Sequence, residues 1–333
     1  MRNSKKVVTY FISIILSVIL LIFILLIPYN YCNALGYQDA KVRKSMAGSL
    51  DTFFIGASHS SVGINTKVFD NRVGKNSYNL SFDAAFLYSL YELLSIEVER
   101  NNIETVYLEV STDTLYKETS TLVSDLMTLA KLEPSKRIHY FFSRIKFIDY
   151  WKFLSKSLSS SLDAVNEMIF HKENYDKNNK GYCPNKVVDQ TITEEVYNEI
   201  IYSKTLKSTI NQESLLYLNK IYEMSVEKKF ELVLYTAPVT SKYIIKYSNI
   251  DEIMEYYKEF AINKGLRFID FNLIKNRKLI FDQKTHYADE GHLSTNGATV
   301  FTNVVCDLIN NKSAYEFYSS YHEAVEAGLY KDF

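Results

Sequence analysis

Three side chains in this sequence have types that together can attack an acyl group. Ser58 lies in the N-terminal part, and Asp289 and His292 lie three residues apart near the other end. A serine hydroxyl is a poor nucleophile until a base removes its proton, which would be the role of His292. Asp289 would fix the tautomer of the imidazole and stabilise its cationic form. These residue types predict covalent acyl chemistry at Ser58.

The residues before Ser58 predict how it is positioned. Residues 53–55 (Phe-Phe-Ile) have the aromatic and β-branched character of a buried strand, and Gly56 permits a tight turn after it. Ser58 would then lie where a parallel strand leads into a helix. In open α/β sheets, the chemistry usually takes place at this carboxyl end of the strands.

Asp289 and His292 precede a helix-like run, residues 298–309, and their spacing lets both side chains face one point. A purely structural role in a turn or at a helix start is the alternative for each. Other residues nearby could also complete the site: they are Asp270, Asp282 and His286.

Strand-like and helix-like patterns alternate along the chain. The further strands predicted are Ser77 to Leu80, Thr105 to Val110, Phe230 to Thr236 and Leu266 to Phe271, and the helices include Ala84 to Arg100 and Ile250 to Lys264. Such alternation implies right-handed crossovers and a parallel sheet with helices on both faces. The predicted fold class is α/β, a three-layer α/β/α sandwich with a parallel, flavodoxin-like sheet.

The segment from 115 to about 212 is too long for one crossover connection. It contains helical patches at 122–132 and 138–158, followed by a loop-like polar stretch at 172–185. We interpret it as a mainly helical insertion or cap beside the site. Ordinary helical packing with a loop is the alternative.

Residues 7–28 form an uncharged run rich in Ile, Leu, Val and Phe. About twenty such residues span the hydrocarbon core of a bilayer. A cleaved signal peptide usually has a shorter apolar region that ends at small residues, whereas this run ends at Ile27 and Pro28. The residues before Cys32 are not the small ones expected of a lipoprotein. The run therefore predicts a retained transmembrane signal anchor.

Basic residues flank the predicted anchor on both sides. Arg2, Lys5 and Lys6 precede it, and Lys41, Arg43 and Lys44 follow it. The positive-inside rule favours a cytoplasmic N-terminus and a single-pass membrane protein whose catalytic domain is extracytoplasmic. The predicted organisation is a cytoplasmic tail (1–6), the anchor (7–28), a juxtamembrane linker (29–49), the α/β domain with its insertion (50–311) and a C-terminal tail (312–333).

Overall charge and cysteine content exclude some classes of protein. The formal net charge of the 333 residues is -1, with charges mixed along the chain, so no nucleic-acid-binding surface is expected. Cys32, Cys183 and Cys306 are odd in number and have no metal-binding spacing. A structural or incidental role is expected for them rather than a disulfide framework.

Two short motifs resemble those of the SGNH (GDSL-like) hydrolase superfamily. Gly56-Ala57-Ser58 is similar to its first block, and the stretch from Asp289 to Leu293 is similar to its fifth. The resemblance places Ser58 in the nucleophile position, His292 in the base position and Asp289 in the orienting position. It implies the α/β/α fold of the superfamily and an acyl-ester enzyme without a metal or cofactor.

The donors for the oxyanion depart from the superfamily pattern. Negative charge on a substrate carbonyl needs donors aimed at it, and the backbone N–H beside Ser58 is one. In the superfamily the others come from a glycine after the second strand and an asparagine after the third, and this chain has neither. The side chains that could replace them are Asn79, Ser81, Ser111 and Thr112, with turn and cap roles as the alternative. His59 would either bond near the site or support its neighbours.

Several features together resemble the membrane-anchored SGNH-like proteins of cell-envelope modification. They are the strand-three sequence 106–111, the Gly-Ala-Ser-His turn, the N-terminal anchor and the long insertion. That branch includes the DltD-type D-alanyl transfer proteins of teichoic acids and the alginate-type acetylation proteins. The resemblance implies acyl chemistry on a cell-surface polysaccharide or another acyl-carrying polymer, with a membrane-bound O-acyltransferase as a partner.

Two hypotheses of different classes follow. The first is a membrane-anchored serine esterase or O-acyltransferase that forms an acyl-Ser58 intermediate. The second is a catalytically degenerate accessory protein that binds glycan or a membrane O-acyltransferase, which the missing glycine and asparagine favour. A cytosolic esterase is disfavoured because the uncharged N-terminal run is too long for it.

Overall fold

Five short strands form one parallel sheet in the computed structural model. They are β1 Thr52–Ile55, β2 Ser77–Asn79, β3 Thr105–Glu109, β4 Glu231–Thr236 and β5 Arg267–Asp270. The strand order is β2-β1-β3-β4-β5, and all neighbours pair in parallel. This is the flavodoxin-like order, and it confirms the predicted α/β class. Each strand coincides with one of the predicted runs to within one or two residues.

The structure describes residues 6–18, 20, 39–115, 122–132, 134–146, 148–149, 177–202, 210–311 and 313–332. Helices with defined bounds are α1 Ser58–Gly63, α2 Thr66–Val73, α3 Leu87–Arg100, α4 Leu122–Lys131, α5 Pro134–Arg144, α6 Glu194–Tyr202, α7 Gln212–Lys228, α8 Ser241–Ile245, α9 Ile250–Lys264, α10 Arg277–Ile280, α11 Thr295–Asn310 and α12 Tyr321–Glu326. Residues 6–18 and 39–45 are also helical.

Both faces of the sheet are buried. Phe53 and Phe54 point to opposite faces because side chains alternate along a strand, and both are fully buried. Phe54 packs against Phe69 of α2 and Tyr107 of β3, with ring centroids 4.8 and 4.9 Å away. Phe301 of α11 belongs to the same apolar cluster. Continuous apolar strands of this kind are typical of parallel sheets covered on both faces.

The strand order sets the position of the candidate site. The chain leaves β1 towards β2 on one side, and β3 pairs with the other side of β1. Such a reversal opens a crevice beyond the carboxyl ends of the two strands. Ser58 follows β1, and Glu109 ends β3. The residues after these strands therefore meet at the place where α/β sheets usually bind ligands.

The chain divides into two compact units, residues 1–42 with 121–175 and residues 43–120 with 176–333. Within the first unit, Lys131 at the end of α4 pairs with Asp39 at 3.2 Å, and Tyr140 of α5 donates to Asp125 of α4 at 3.1 Å. Of the predicted insertion, residues 121–175 thus belong to the first unit, and residues 115–120 and 176–212 belong to the second. Most of the predicted helix at 138–158 beyond α5 lies outside the described residues.

Only part of the predicted membrane anchor is described. Residues 6–18 and 20 are helical, and their large apolar side chains are exposed. Residues 21–28 lie outside the described residues. Within the described ranges, no helix is long and apolar enough to cross a bilayer.

Residues 177–192, here called the exit segment, hydrogen-bond to several elements of the second unit, among them α1 and the start of α11. The Cys183 N–H donates to Ser61 O of α1 at 3.0 Å. Further on, Asn185 O accepts from the Thr295 N–H at 2.9 Å and from Thr295 Oγ1 at 2.8 Å. The exit segment is irregular apart from one short 3-10 turn. It therefore links the helix after β1 to the start of α11.

The C-terminal tail packs on the second unit. Tyr321 OH of α12 donates to Asp270 at 3.1 Å, and Tyr330 OH donates to the backbone oxygen of Asn272 at 3.0 Å. Both tyrosine side chains are buried. Residues 321–330 therefore contribute to the core beside β5.

We predict that Gly297→Ala destabilises the second unit. A Cβ at this α11 position would stand 1.9 Å from the backbone oxygen of His286, so α11 and the loop before it would have to separate. Overpacking of this kind costs about 1–3 kcal/mol of the free energy of unfolding. Urea unfolding of the full chain measures it. Gly63→Ala is the control, because its Cβ would meet no atom closer than 3.6 Å; equal midpoints for the two variants would contradict the prediction.

Candidate active site

Ser58, His292 and Asp289 converge. His292 Nε2 lies 2.7 Å from Ser58 Oγ, although the two residues are 234 apart in sequence. His292 Nδ1 lies 2.8 and 2.9 Å from the two carboxylate oxygens of Asp289. The hydroxyl, the imidazole and the carboxylate thus form one continuous hydrogen-bonded chain, with the imidazole in the middle.

The loop backbone fixes the orientation of Asp289. Its Oδ1 accepts the N–H groups of Gly291 and His292 at 2.9 and 3.0 Å. A short carboxylate side chain that bonds backbone two or three residues ahead closes a local turn. The three-residue spacing of Asp289 and His292 therefore produces both the turn and the pairing of carboxylate with imidazole.

This chain of residues is open to solvent. The His292 side chain is 28% exposed and the Asp289 side chain 59% exposed. Ser58 is half-buried at the start of α1. Within the described residues, solvent can therefore reach all three side chains at least in part.

A second pair of carboxylate and imidazole lies beside the first. Glu109 Oε1 is 3.3 Å from His59 Nδ1, and Glu109 Oε2 accepts the Ala57 N–H at 3.1 Å. The Glu109 side chain is fully buried. The ring of His59 lies 5.3 Å from that of His292, and it meets the Tyr243 ring edge-on at 5.7 Å.

Charge around His59 favours its protonated form. Burial alone would lower its pKa, but the hydrogen bond and charge of Glu109, together with Asp113 and Asp289, raise the pKa above its ordinary value. Because the pKa is raised on folding, protonation of His59 stabilises the fold below the ordinary pKa. That contribution is lost as the pH rises through the raised value.

Asn79 does not face Ser58 as an oxyanion donor. Its side-chain N–H group donates to the backbone oxygens of Ser60 and Ile64 at 2.8 and 3.3 Å, and its Oδ1 accepts the Ser81 N–H at 3.1 Å. The residue is fully buried. Asn79 therefore holds α1 against the end of β2, a structural role.

The other predicted donor side chains are likewise bonded elsewhere. Ser81 Oγ and Tyr235 OH both donate to Ser60 Oγ at 2.8 Å. Ser111 Oγ lies 3.1 Å from Thr114 Oγ1 within a turn, and Thr112 Oγ1 lies 2.9 Å from Tyr243 OH. His59, also predicted as an oxyanion or supporting residue, lies beside the site, with its ring next to that of His292.

The alternative partners for the site belong to other networks. Asp270 is buried and accepts from Thr236 and Tyr321 at 2.6 and 3.1 Å; burial raises its pKa, although these hydrogen bonds oppose the rise. His286 Nδ1 accepts the Asp282 N–H at 3.0 Å. Asp289 is therefore the carboxylate that meets His292.

No family model matches the chain, and no curated protein matches it. Among solved structures, the matches include two distant ones from Bacteroides species. A GDSL-like lipase of Bacteroides thetaiotaomicron matches with 10% identity and a TM-score of 0.39 over 85% of this chain and 99% of that one. A Bacteroides fragilis protein described as an acylhydrolase matches with 11% identity and a TM-score of 0.41 over 82% of this chain and 94% of that one.

The sequence motifs do not point to Glu109 or Tyr243. The signal for Glu109 was an acidic residue that ends an otherwise apolar buried strand, because a charge in that place needs a partner. Its partner lies 50 residues earlier in the sequence. Tyr243 carries no comparable signal, since its place beside His59 depends on how the connection after β4 folds back.

We predict that Asn79→Ala lowers the free energy of unfolding. Removing a buried amide leaves the Ser60 oxygen and the Ser81 N–H without this partner, at a cost of about 1–3 kcal/mol in the free energy of unfolding. Urea unfolding measures the change. Asn303→Ala, which removes only a surface hydrogen bond to Arg72, is the matched control. Unchanged stability in Asn79→Ala would contradict the structural role.

Proposed function

We propose that this chain is an SGNH-type serine esterase or O-acyltransferase that acts through an acyl-Ser58 intermediate. The observation that supports it most directly is the hydrogen-bonded arrangement of Ser58, His292 and Asp289, with contacts of 2.7 and 2.8 Å. A nucleophile that touches a base, which is in turn oriented by a third group, is the signature of nucleophilic catalysis.

In the proposed reaction, Ser58 Oγ attacks the carbonyl carbon of an ester while His292 Nε2 takes the hydroxyl proton. Asp289 holds the imidazole with Nδ1 protonated and offsets its positive charge. The carbon–oxygen bond to the leaving alcohol then breaks, and the alcohol oxygen takes the proton from His292. Water or another hydroxyl attacks the acyl-Ser58 in the same way, with His292 as base, and frees the serine.

The identity of the acceptor separates esterase from transferase. Water gives hydrolysis, and a sugar hydroxyl gives acyl transfer, yet both use the same protein groups. The exposure of His292 and Asp289 favours an acceptor that is part of a large molecule, because a polymer segment can reach an open site. We propose a cell-surface polysaccharide or a teichoic-acid-like polymer as that substrate.

The proposed location is the outer face of the cell membrane, with residues 7–28 as the anchor. The length and lack of charge of that run support it, as does the exposed apolar surface of the helical residues 6–18. A membrane-bound O-acyltransferase that supplies the acyl group is the proposed partner. Both proposals rest on the sequence pattern and its resemblance to the envelope-modification branch.

A non-catalytic role as a glycan-binding or acyltransferase-binding protein is the second candidate. The observation that favours it is that Asn79, Ser81 and Ser111 are all engaged away from Ser58. Labelling of Ser58 separates the two candidates, because only an activated serine reacts with a fluorophosphonate.

We predict that the full chain, solubilised in detergent, reacts with a fluorescent fluorophosphonate and cleaves 4-nitrophenyl acetate. Ser58→Ala should abolish both, since the hydroxyl is the attacking group. Ser95→Ala is the control, because its hydroxyl bonds the Glu92 backbone oxygen within α3. A folded wild-type chain that neither labels nor cleaves the ester would favour the binding role.

We predict that Asp289→Asn lowers kcat about 10²- to 10⁴-fold, the range typical of general acid–base catalysis. The amide still accepts the backbone N–H groups of Gly291 and His292, but it neither holds the imidazole tautomer nor offsets its charge. Steady-state ester hydrolysis measures kcat and KM. Asp282→Asn, in an exposed turn, is the control; similar kcat values for both variants would contradict the proposed role of Asp289.

A further inference from the structure

The side chains predicted as oxyanion donors do not supply enough hydrogen-bond donors for a substrate oxygen at Ser58. The N–H of Ser58, at the start of α1, has no acceptor within its helix and can face a substrate oxygen. The side chains of Asn79, Ser81 and Ser111 serve other bonds. Tetrahedral intermediates usually need more than one donor or a nearby positive charge. Another group near Ser58 should therefore balance the negative charge.

His59 lies near Ser58 and can carry the positive charge that would balance the negative charge on the substrate oxygen. It follows Ser58 on α1, and its ring lies 5.3 Å from that of His292, which holds the serine hydroxyl. Its Nδ1 faces the buried carboxylate of Glu109. We infer that His59, held as an imidazolium by Glu109, stabilises the negative charge that forms on the carbonyl oxygen of a substrate at Ser58. The inference rests on the proposed acyl chemistry.

The groups that surround His59 come from four elements. Glu109 ends β3, Asp113 lies in the turn after it, Asp289 and His292 lie in the loop before α11, and Tyr243 lies on α8. Three of the five are carboxylates, so the surroundings favour a cation. Tyr243 is neutral because burial raises its pKa further above its ordinary value. His292 becomes cationic as it takes the serine proton, and Asp289 offsets that charge as Glu109 offsets the charge of His59.

Gly291 leaves room for this imidazole. A Cβ there would lie 3.1 Å from His59 Nε2 and 3.6 Å from the Tyr243 ring. The loop that carries His292 therefore passes directly over the edge of His59 that points away from Glu109. A side chain at Gly291 would push His59 out of place by a few tenths of an ångström.

The test compares His59→Gln and Glu109→Gln with wild type in the full chain, using 4-nitrophenyl acetate hydrolysis and fluorophosphonate labelling. His59→Gln should lower kcat by about 10²- to 10³-fold, as expected for the loss of an oxyanion-stabilising group, while KM changes little. Glu109→Gln keeps an oxygen for the Ala57 N–H but removes the charge. It should move the alkaline limb of the kcat–pH profile to lower pH, because His59 then loses its proton more readily.

His322→Gln is the matched control, because His322 is exposed and also pairs with a carboxylate, Glu326, at 3.2 Å. Urea unfolding of each variant separates loss of fold from loss of function. Histidine NMR titration of wild type and Glu109→Gln reads the charge on His59 directly. The expected result is a His59 signal that stays protonated above the ordinary histidine pKa in wild type and titrates at lower pH in Glu109→Gln.

Three results would overturn the inference while leaving the acyl-Ser58 proposal intact. They are wild-type kcat in a folded His59→Gln variant, an unchanged pH profile in Glu109→Gln, and a His59 signal that titrates no higher than the ordinary histidine pKa. Absence of labelling and hydrolysis in wild type would instead count against the acyl-Ser58 proposal itself, and the NMR titration would still report whether Glu109 keeps His59 charged.

Discussion

A buried carboxylate at the end of β3 constrains the whole turn that carries Ser58, residues 56–59. Isolating a charged Glu109 from water is costly, so it must be paired. Both of its partners, the Ala57 N–H and His59 Nδ1, flank Ser58. The approach is so close that a Cβ at Gly56 would stand 2.6 Å from Glu109 Cβ. The strand end, the glycine turn and the serine therefore depend on one another.

Two pairs of carboxylate and imidazole share this small region but differ in exposure. Asp289 is more than half exposed, whereas Glu109 is fully buried. Water weakens electrostatic interactions at the exposed pair, which suits the proposed role of His292 as a base that gains and loses a proton. Water screens the interaction of the buried pair less. The difference in burial thus makes water screen two chemically similar pairs to different extents.

The loop that carries His292 is held by contacts from the rest of the second unit. Gly297 of α11 lets the backbone oxygen of His286 approach the helix directly. The buried guanidinium of Arg277 donates to Tyr287 OH, 3.1 Å away, and to the backbone oxygen of Val239 after β4. These contacts fix where the loop leaves the core. The imidazole can therefore meet a serine from the opposite end of the chain with defined geometry.

The sequence by itself determined the elements and the local chemistry. Apolar runs predicted the five strands, and the spacing of Asp289 and His292 predicted that both side chains could face one point, because both patterns depend on neighbours within a few residues. Tertiary structure alone decided that Glu109 pairs with His59 and that Asn79 turns towards α1. Those contacts depend on strand order and register, which bring together groups far apart in the chain. A local sequence pattern does not indicate the order of the strands.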